Sequence, residues 1–163
     1  MAASKGHTEC VELLIPVSNP KIDNSYPLRI AIVYGHTDCA LLLIPFSEPK
    51  FGNSEALFLA VQQGSVECVK SLLPVSEPQL SNPRSFYLAL GLGHAAIVEL
   101  MISNEPGLLD LIDTRPAWRD ALTSGHHELA ELLLAADEQR SLAKISRKDA
   151  PRLPQKTNTP PRL

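Results

Sequence analysis

The fold of this chain is decided by residues 35–63, GHTDCALLLIPFSEPKFGNSEALFLAVQQ, because the sequence up to about residue 143 repeats the pattern of this stretch. Five copies open on a glycine, at Gly6, Gly35, Gly64, Gly93 and Gly125. The first three intervals are 29 residues long and the last is 32. A fixed period of roughly 20 to 50 residues is typical of a solenoid. We therefore expect a stack of short structural units.

Apolar residues on both sides of each glycine have helical spacing. Those seven, four and three positions before it are Leu28, Ala31, Ile32; Leu57, Ala60, Val61; Phe86, Ala89, Leu90; and Trp118, Ala121, Leu122. Those four, five, eight and nine positions after it are Cys10, Val11, Leu14, Ile15; Cys39, Ala40, Leu43, Ile44; Cys68, Val69, Leu72, Leu73; Ile97, Val98, Met101, Ile102; and Leu129, Ala130, Leu133, Leu134. Such spacing places each set on one helix face. Each unit is therefore predicted to be two helices joined at the glycine.

The ends of these helices also have sequence signals. Residues of N-cap type stand eleven positions before the glycines, at Asn24, Asn53, Asn82 and Thr114, and predict capped first helices. Prolines at Pro16, Pro45 and Pro74 are predicted to end the second helix early. In the extended loop that follows, one apolar position is expected to pack against the stack, at Ile22, Phe51, Leu80 and Ile112.

Two helices with an extended return loop, as in residues 25–44, SYPLRIAIVYGHTDCALLLI, resemble an ankyrin repeat. Residues 26–31, YPLRIA, stand where that family has Thr-Pro-Leu-His-x-Ala, and Gly35-His36 matches its Gly-His. The resemblance covers about residues 2–143 and implies an all-α helix-loop-helix solenoid. The period of 29 is shorter than the 33 residues of the family, with the deletion in the loop. We therefore expect the projecting β-hairpin finger to be shortened or missing.

Charge divides the chain in two. Residues 144–163 carry a net +5, which leaves −8 for the other 143 residues. We predict a repeat array over residues 1–143, with four full units after a truncated first one. A disordered, basic, Pro-rich tail is predicted over residues 144–163. The first unit begins partway through a helix, which suggests a fragment of a longer array or a misplaced start.

Composition excludes several classes of function. No apolar run approaches the roughly 18 residues of a membrane span, and an acidic array lacks the basic face of a nucleic-acid binder. Three cysteines without a Cys-x-x-Cys pair favour buried thiols in a reducing, cytoplasmic setting. Secretion into a host cell remains an alternative. No signal peptide, P-loop, nucleophile elbow or dinucleotide motif is present, so we expect neither an enzyme nor a cofactor.

The histidine and acidic side chains that could bind a metal ion have a structural interpretation. The histidines His7, His36, His94 and His126 repeat one helix-start position. The acids Glu9, Asp38, Glu67 and Glu128 repeat another, where a negative charge complements the helix dipole. His127 and Glu131 are four residues apart but lack a third ligand, so no metal site and no small-molecule substrate are predicted.

The columns that vary from unit to unit indicate a binding face. They stand six, two and one residues before each glycine, and the predicted partner-binding residues are Arg29, Val33, Tyr34, Phe58, Gln62, Gln63, Tyr87, Leu92, Arg119 and Thr123. Tyrosine, arginine and phenylalanine are enriched where proteins bind proteins. In the ankyrin family such first-helix residues line the groove that holds a partner, and the resemblance implies the same here. The other interpretation is that Phe58 and Tyr87 cover a neighbouring helix.

The sequence therefore predicts a non-catalytic scaffold that binds another protein. Two alternatives remain: the targeting part of a larger enzyme or secreted effector, and self-association through the uncapped first unit. The tail also contains Pro151 and Pro154 in a P-x-x-P motif between basic residues. Such a segment can bind an aromatic groove as polyproline II helix, although a solvated linker is the simpler interpretation.

Overall fold

A computed structural model of the chain describes residues 2–48, 51–76, 84–105, 107–111 and 114–148. These residues contain helices and no strand, which confirms the predicted all-α fold. The helices are α1 (Thr8–Leu14), α2 (Ile22–Val33), α3 (Thr37–Leu43), α4 (Phe51–Gln62), α5 (Val66–Leu72), α6 (Arg84–Leu92), α7 (Ala95–Asn104), α8 (Leu108–Leu111), α9 (Thr114–Thr123) and α10 (His127–Lys148). The predicted tail residues 149–163 lie outside the described part.

The helices form two layers. The first helices of successive units, α2, α4, α6 and α9, contact one another in that order, and the second helices α1, α3, α5, α7 and α10 do the same. In the first unit, a 3-10 turn at Ala3–Lys5 takes the place of the first helix and packs on α2. The core lies between the layers and contains the alanine column, with Ala31, Ala60 and Ala89 fully buried. The predicted stacking of helix pairs is confirmed.

Each first helix ends in the same glycine turn. Gly35 has a φ of 72°, a left-handed conformation that costs glycine little. Its N–H donates to Ile32 O at 2.9 Å, and the N–H of His36 donates to Ala31 O at 2.9 Å. This pair of bonds is the Schellman motif, which satisfies carbonyls at a helix C-terminus. The same two bonds close the turns at Gly64, Gly93 and Gly125.

The glycines also let neighbouring units approach closely. A Cβ on Gly6 would lie 2.6 Å from Nδ1 of His36, and one on Gly64 would lie 3.0 Å from Cε1 of His94. The ring of His126 occupies the same space beside Gly93. Gly35 has open space instead, and the following unit has Ser65 at the histidine position. The repeated histidine is therefore an inter-unit packing residue.

Prolines set the length of the second helices. Helices α1, α3 and α5 are seven residues long, and each ends two residues before its proline. Pro16 and Pro45 lie in short 3-10 turns that lead into the extended residues Ser18 and Ser47. Where the fourth unit has Ser103 in place of proline, α7 extends to ten residues. The predicted helix ends are confirmed.

The predicted N-caps are wrong for Asn24 and Asn53, which lie inside α2 and α4. Asp23, Asn24 and Ser25 form a left-handed turn within α2, with φ between 49° and 58°. Asp and Asn tolerate this conformation better than other side chains. The turn points the buried Ser25 Oγ at the next loop, where it accepts the Glu48 N–H at 2.8 Å. Thr114 begins α9, and Asn82 lies outside the described residues.

Burial follows the prediction in the inner units and fails at the ends of the stack. Cys10 and Leu14 are exposed in the first unit, as are Leu122 and Leu134 in the last. The equivalent positions of inner units are covered by a neighbouring pair of helices. Ile22 is 54% exposed, so its predicted packing is also wrong. The side chain of Phe51, together with Leu80 and Ile112, lies outside the described part.

The 32-residue interval contains an element that the sequence pattern did not predict. Helix α8 buries Leu108 and Leu109, and Arg140 of α10 donates a hydrogen bond to the Leu109 carbonyl. Asp137 lies one turn before Arg140 and forms an ion pair with it at 3.9 Å. Helix α10 extends to Lys148, so residues 144–148, predicted to begin the tail, belong to it.

Alanine substitutions at two glycines with the same backbone conformation distinguish the stability cost of turn strain from that of inter-unit packing. Gly35 and Gly93 both have a φ of 72°, but only Gly93 faces a histidine ring. Gly35→Ala should cost about 1 kcal/mol of unfolding free energy from left-handed strain. Gly93→Ala should cost a further ~1–3 kcal/mol, because the new methyl group overpacks against His126. Urea unfolding followed by circular dichroism measures both values.

The double variant Gly93→Ala with His126→Ser provides the control. It recreates the serine found opposite Gly35 and should remove most of the additional cost. Equal destabilisation by the two single variants would show that the histidine contact does not limit the spacing of the units.

Candidate partner-binding face on the first helices

The predicted partner-binding residues lie on the first helices or in the turns that follow them. Eight of the ten are exposed: Val33, Tyr34, Gln62, Gln63, Tyr87, Leu92, Arg119 and Thr123. Tyr34 and Tyr87 are the exposed aromatic residues of the set, at 60% and 51%. Arg29 and Phe58 are half-buried. The columns therefore form one strip along the α2, α4, α6 and α9 layer.

Arg29 and Phe58 also connect neighbouring first helices. Arg29 Nη1 donates to Glu55 Oε2 at 2.8 Å, which joins α2 to α4. The guanidinium carbon of Arg84 lies 4.2 Å from the centroid of the Phe58 ring, which joins α4 to α6. Both contacts pair the residue six positions before one glycine with the residue nine positions before the next. We call such a pair a step pair. For Phe58, the contact supports the interpretation that it covers the neighbouring helix.

The third step pair is different in kind. Tyr87 stands six positions before Gly93, and Pro116 stands nine positions before Gly125. Proline has no charged group to place over the tyrosine ring, and Gly91 contributes no side chain between α6 and α9. A cleft of about 380 Å³ opens there. It is lined by Tyr87, Leu90, Gly91, Pro116, Ala117, Asp120, Ala121, Ser124 and His126.

Asp120 is the acidic residue of the cleft and was not among the predicted site residues. Among the described residues, its carboxylate has neither an ion pair nor a hydrogen bond. Thr123 donates its hydroxyl to the Asp120 carbonyl at 3.0 Å, so this predicted site residue bonds to its own helix. Asp120 has no equivalent in the columns that predicted the face, because it stands five positions before its glycine. Comparing step pairs between units would have located the cleft, although not its volume.

Tyr34 lies at the other end of the strip. Its ring stacks on that of His36 with centroids 6.5 Å apart and planes 21° apart. His36 in turn contacts the first unit, with Nε2 3.2 Å from Ser4 O. The glycine turn thus fixes one face of Tyr34, while more than half of the side chain remains open to solvent.

The cysteines lie in the second-helix layer, away from this strip, and all three are free thiols. Cys39 and Cys68 are buried as predicted, whereas Cys10, in the first unit of the described stack, is exposed. Thr8 Oγ1 lies 3.3 Å from Cys39 Sγ in the next unit. Burial raises the pKa of the Cys68 thiol, and hydrogen bonding with Ser65 and Thr37 opposes that shift. A raised pKa leaves the thiol protonated and poorly nucleophilic.

The described residues also bear on metal binding and on membrane insertion. They contain no group of three or more His, Cys, Asp or Glu side chains that could hold a metal ion. His127, Glu128 and Glu131 are all exposed on α10. None of the described helices combines the length and hydropathy needed to cross a bilayer.

Comparison with known proteins agrees with this architecture. A family model described as ankyrin repeats, in three copies, matches residues 1–82, half of the chain. The chain belongs to the ankyrin-repeat family. Ankyrin repeats are generally modules for protein–protein interaction and are typically non-catalytic. Curated proteins and solved structures give no significant match.

Proposed function

We propose that this ankyrin-repeat protein is a non-catalytic scaffold that binds another protein through the exposed strip of its first helices. The observation that carries the proposal is the exposure of Tyr34, just after α2, and of Tyr87, on α6. Tyrosine is over-represented among residues that dominate binding energy, because it provides contact area at a low entropic cost. Tyr34 stacks on His36 of its own turn, and no ring contact to Tyr87 is present among the described residues.

Contacts inside the strip support a division of roles. Arg29 and Phe58 are held by Glu55 and Arg84, so they present an ordered surface. Val33, Gln62 and Leu92 are exposed at the ends of their helices beside this surface. Ordered neighbours lower the entropy that an interface loses on binding. Tyr34 and Tyr87 are therefore the proposed anchors, and the residues between them are the proposed complementary surface.

Alanine variants test this assignment once a partner has been isolated by affinity purification from the native host. Tyr34→Ala and Tyr87→Ala should each weaken binding at least tenfold, because anchor residues contribute about 2 kcal/mol or more. Phe58→Ala should weaken binding and also lower stability, since it removes the contact with Arg84. Isothermal titration calorimetry measures the affinities, and thermal unfolding monitors the fold.

Glu99→Ala on α7 is the matched control, since Glu99 is exposed on the second-helix layer. It should leave the affinity unchanged. If the Tyr34→Ala and Tyr87→Ala variants bind the isolated partner as tightly as the parent, the strip is not the binding surface.

Self-association is the second candidate function, and a specific observation favours it. An apolar cleft of about 200 Å³ lies in the first unit and at its junction with α2. Its lining residues include Val11, Leu14 and Ile15, with Pro27 and Ile30 from the second unit. Leu14 is 49% exposed. Two copies that cover this cleft for each other would remove apolar surface from water.

Neighbouring leucines give a matched test of this second candidate. Leu14 lines the cleft, whereas Leu13, 75% exposed, is not among the lining residues. Light scattering after size exclusion should show a dimer for the parent chain and for Leu13→Glu. Leu14→Glu should be a monomer, because the charge would be buried in the interface. A monomeric parent at every concentration would exclude self-association.

A further inference from the structure

The cleft between α6 and α9 points to the chemistry of the group that enters it. This inference rests on the proposed function, because it concerns the same first-helix strip. Two step pairs are satisfied within the chain, one by Arg29 with Glu55 and one by Arg84 with Phe58. Each satisfied pair places an arginine against either a carboxylate or an aromatic face.

In the third step pair an aromatic ring is present and a carboxylate lies near it, but no described arginine stands against them. Tyr87 occupies the position of Phe58, but Pro116 occupies the position of Arg84. About half of the Tyr87 side chain is exposed, and no ring contact to it is present among the described residues. The Asp120 carboxylate lines the same cleft without an ion pair in the described part of the chain. Aromatic ring and carboxylate are therefore both available to one incoming group.

We propose that a lysine or arginine side chain of the partner protein enters this cleft. Its aliphatic stem lies against Leu90 and Ala117, its charge lies over the Tyr87 ring, and its head group donates to the Asp120 carboxylate. An aromatic face attracts a cation within about 6 Å of its centroid. A charge-assisted hydrogen bond to a carboxylate is roughly twice as strong as a neutral one.

The charge around the cleft favours a cationic side chain over an acidic or an apolar one as the group that enters it. An incoming carboxylate would meet Asp120 in a cleft whose described lining residues include neither lysine nor arginine. An apolar group would leave the Asp120 carboxylate covered and unpaired, which is unfavourable. Arg119 is exposed one residue earlier on α9, and consecutive helix residues do not share a face. The net charge of −8 on residues 1–143 also attracts a basic partner.

Selection from a random peptide display library tests the proposal with the whole chain as bait. Peptides recovered by the parent should be enriched in lysine or arginine at one position. Synthetic copies should bind Asp120→Asn and Tyr87→Leu about tenfold more weakly than the parent. Asp38→Asn is the matched control, because Asp38 is an exposed acid at the start of α3 in the other layer. It should bind as the parent does.

A double-mutant cycle identifies the pairing itself. Replacing the selected basic residue by norleucine keeps the stem and removes the charge. This change should weaken binding about tenfold to the parent and hardly at all to Asp120→Asn, because the two losses share one interaction. Fluorescence anisotropy of labelled peptides measures the four affinities.

The remaining outcomes separate this inference from the proposed function. If the recovered peptides are not enriched in lysine or arginine but bind Tyr34→Ala more weakly than the parent, the proposed cation is wrong. The binding strip of the proposed function is then still supported. Basic peptides that bind Asp120→Asn as tightly as the parent would also overturn it. Recovery of no peptide by the parent chain would contradict both proposals.

Discussion

The structure depends on the close approach of neighbouring first helices at small residues. Ala31, Ala60 and Ala89, on the neighbouring helices α2, α4 and α6, are fully buried, and glycine turns end these helices at a left-handed residue. Three of the five turns then receive a histidine from the next unit in the space that a Cβ would fill. These small residues let the units stack in register, so that each unit covers the apolar face of the one before it.

Stacking in register also decides what remains exposed. Because equivalent residues line up from unit to unit, side chains six and nine positions before the glycines become neighbours across helices. Two of these pairs are satisfied by an ion pair and a cation–π contact, and the third ends at Pro116 and leaves a cleft. The two ends of the described stack are a second departure, because apolar residues such as Leu14 and Leu134 are exposed there.

The period and the helical stripes predicted the fold because they are properties of single residues at fixed spacing. Cysteine burial, helix lengths and the histidine position followed from the same register, and Cys10 failed because burial at an end depends on a neighbour. The cap residues failed for another reason: Asn24 joins a left-handed turn that Ser25 fixes through a contact with Glu48 in the next loop. Helix α8 was missed because four residues carry little periodicity. The cleft at Tyr87 depends on the space between α6 and α9, which cannot be predicted from the residue at one repeat position alone.

Substitution at the centre of the alanine column tests the central claim most directly. Ala60→Leu should lower the unfolding free energy by ~1–3 kcal/mol, since the added atoms have no space between α4 and its neighbours. Gln62→Leu, the same new side chain two residues later on the exposed strip, should change it by less than about 0.5 kcal/mol. Urea unfolding of both variants gives the comparison. Equal stability of Ala60→Leu and the parent would contradict a stack held in register by close contact at small residues.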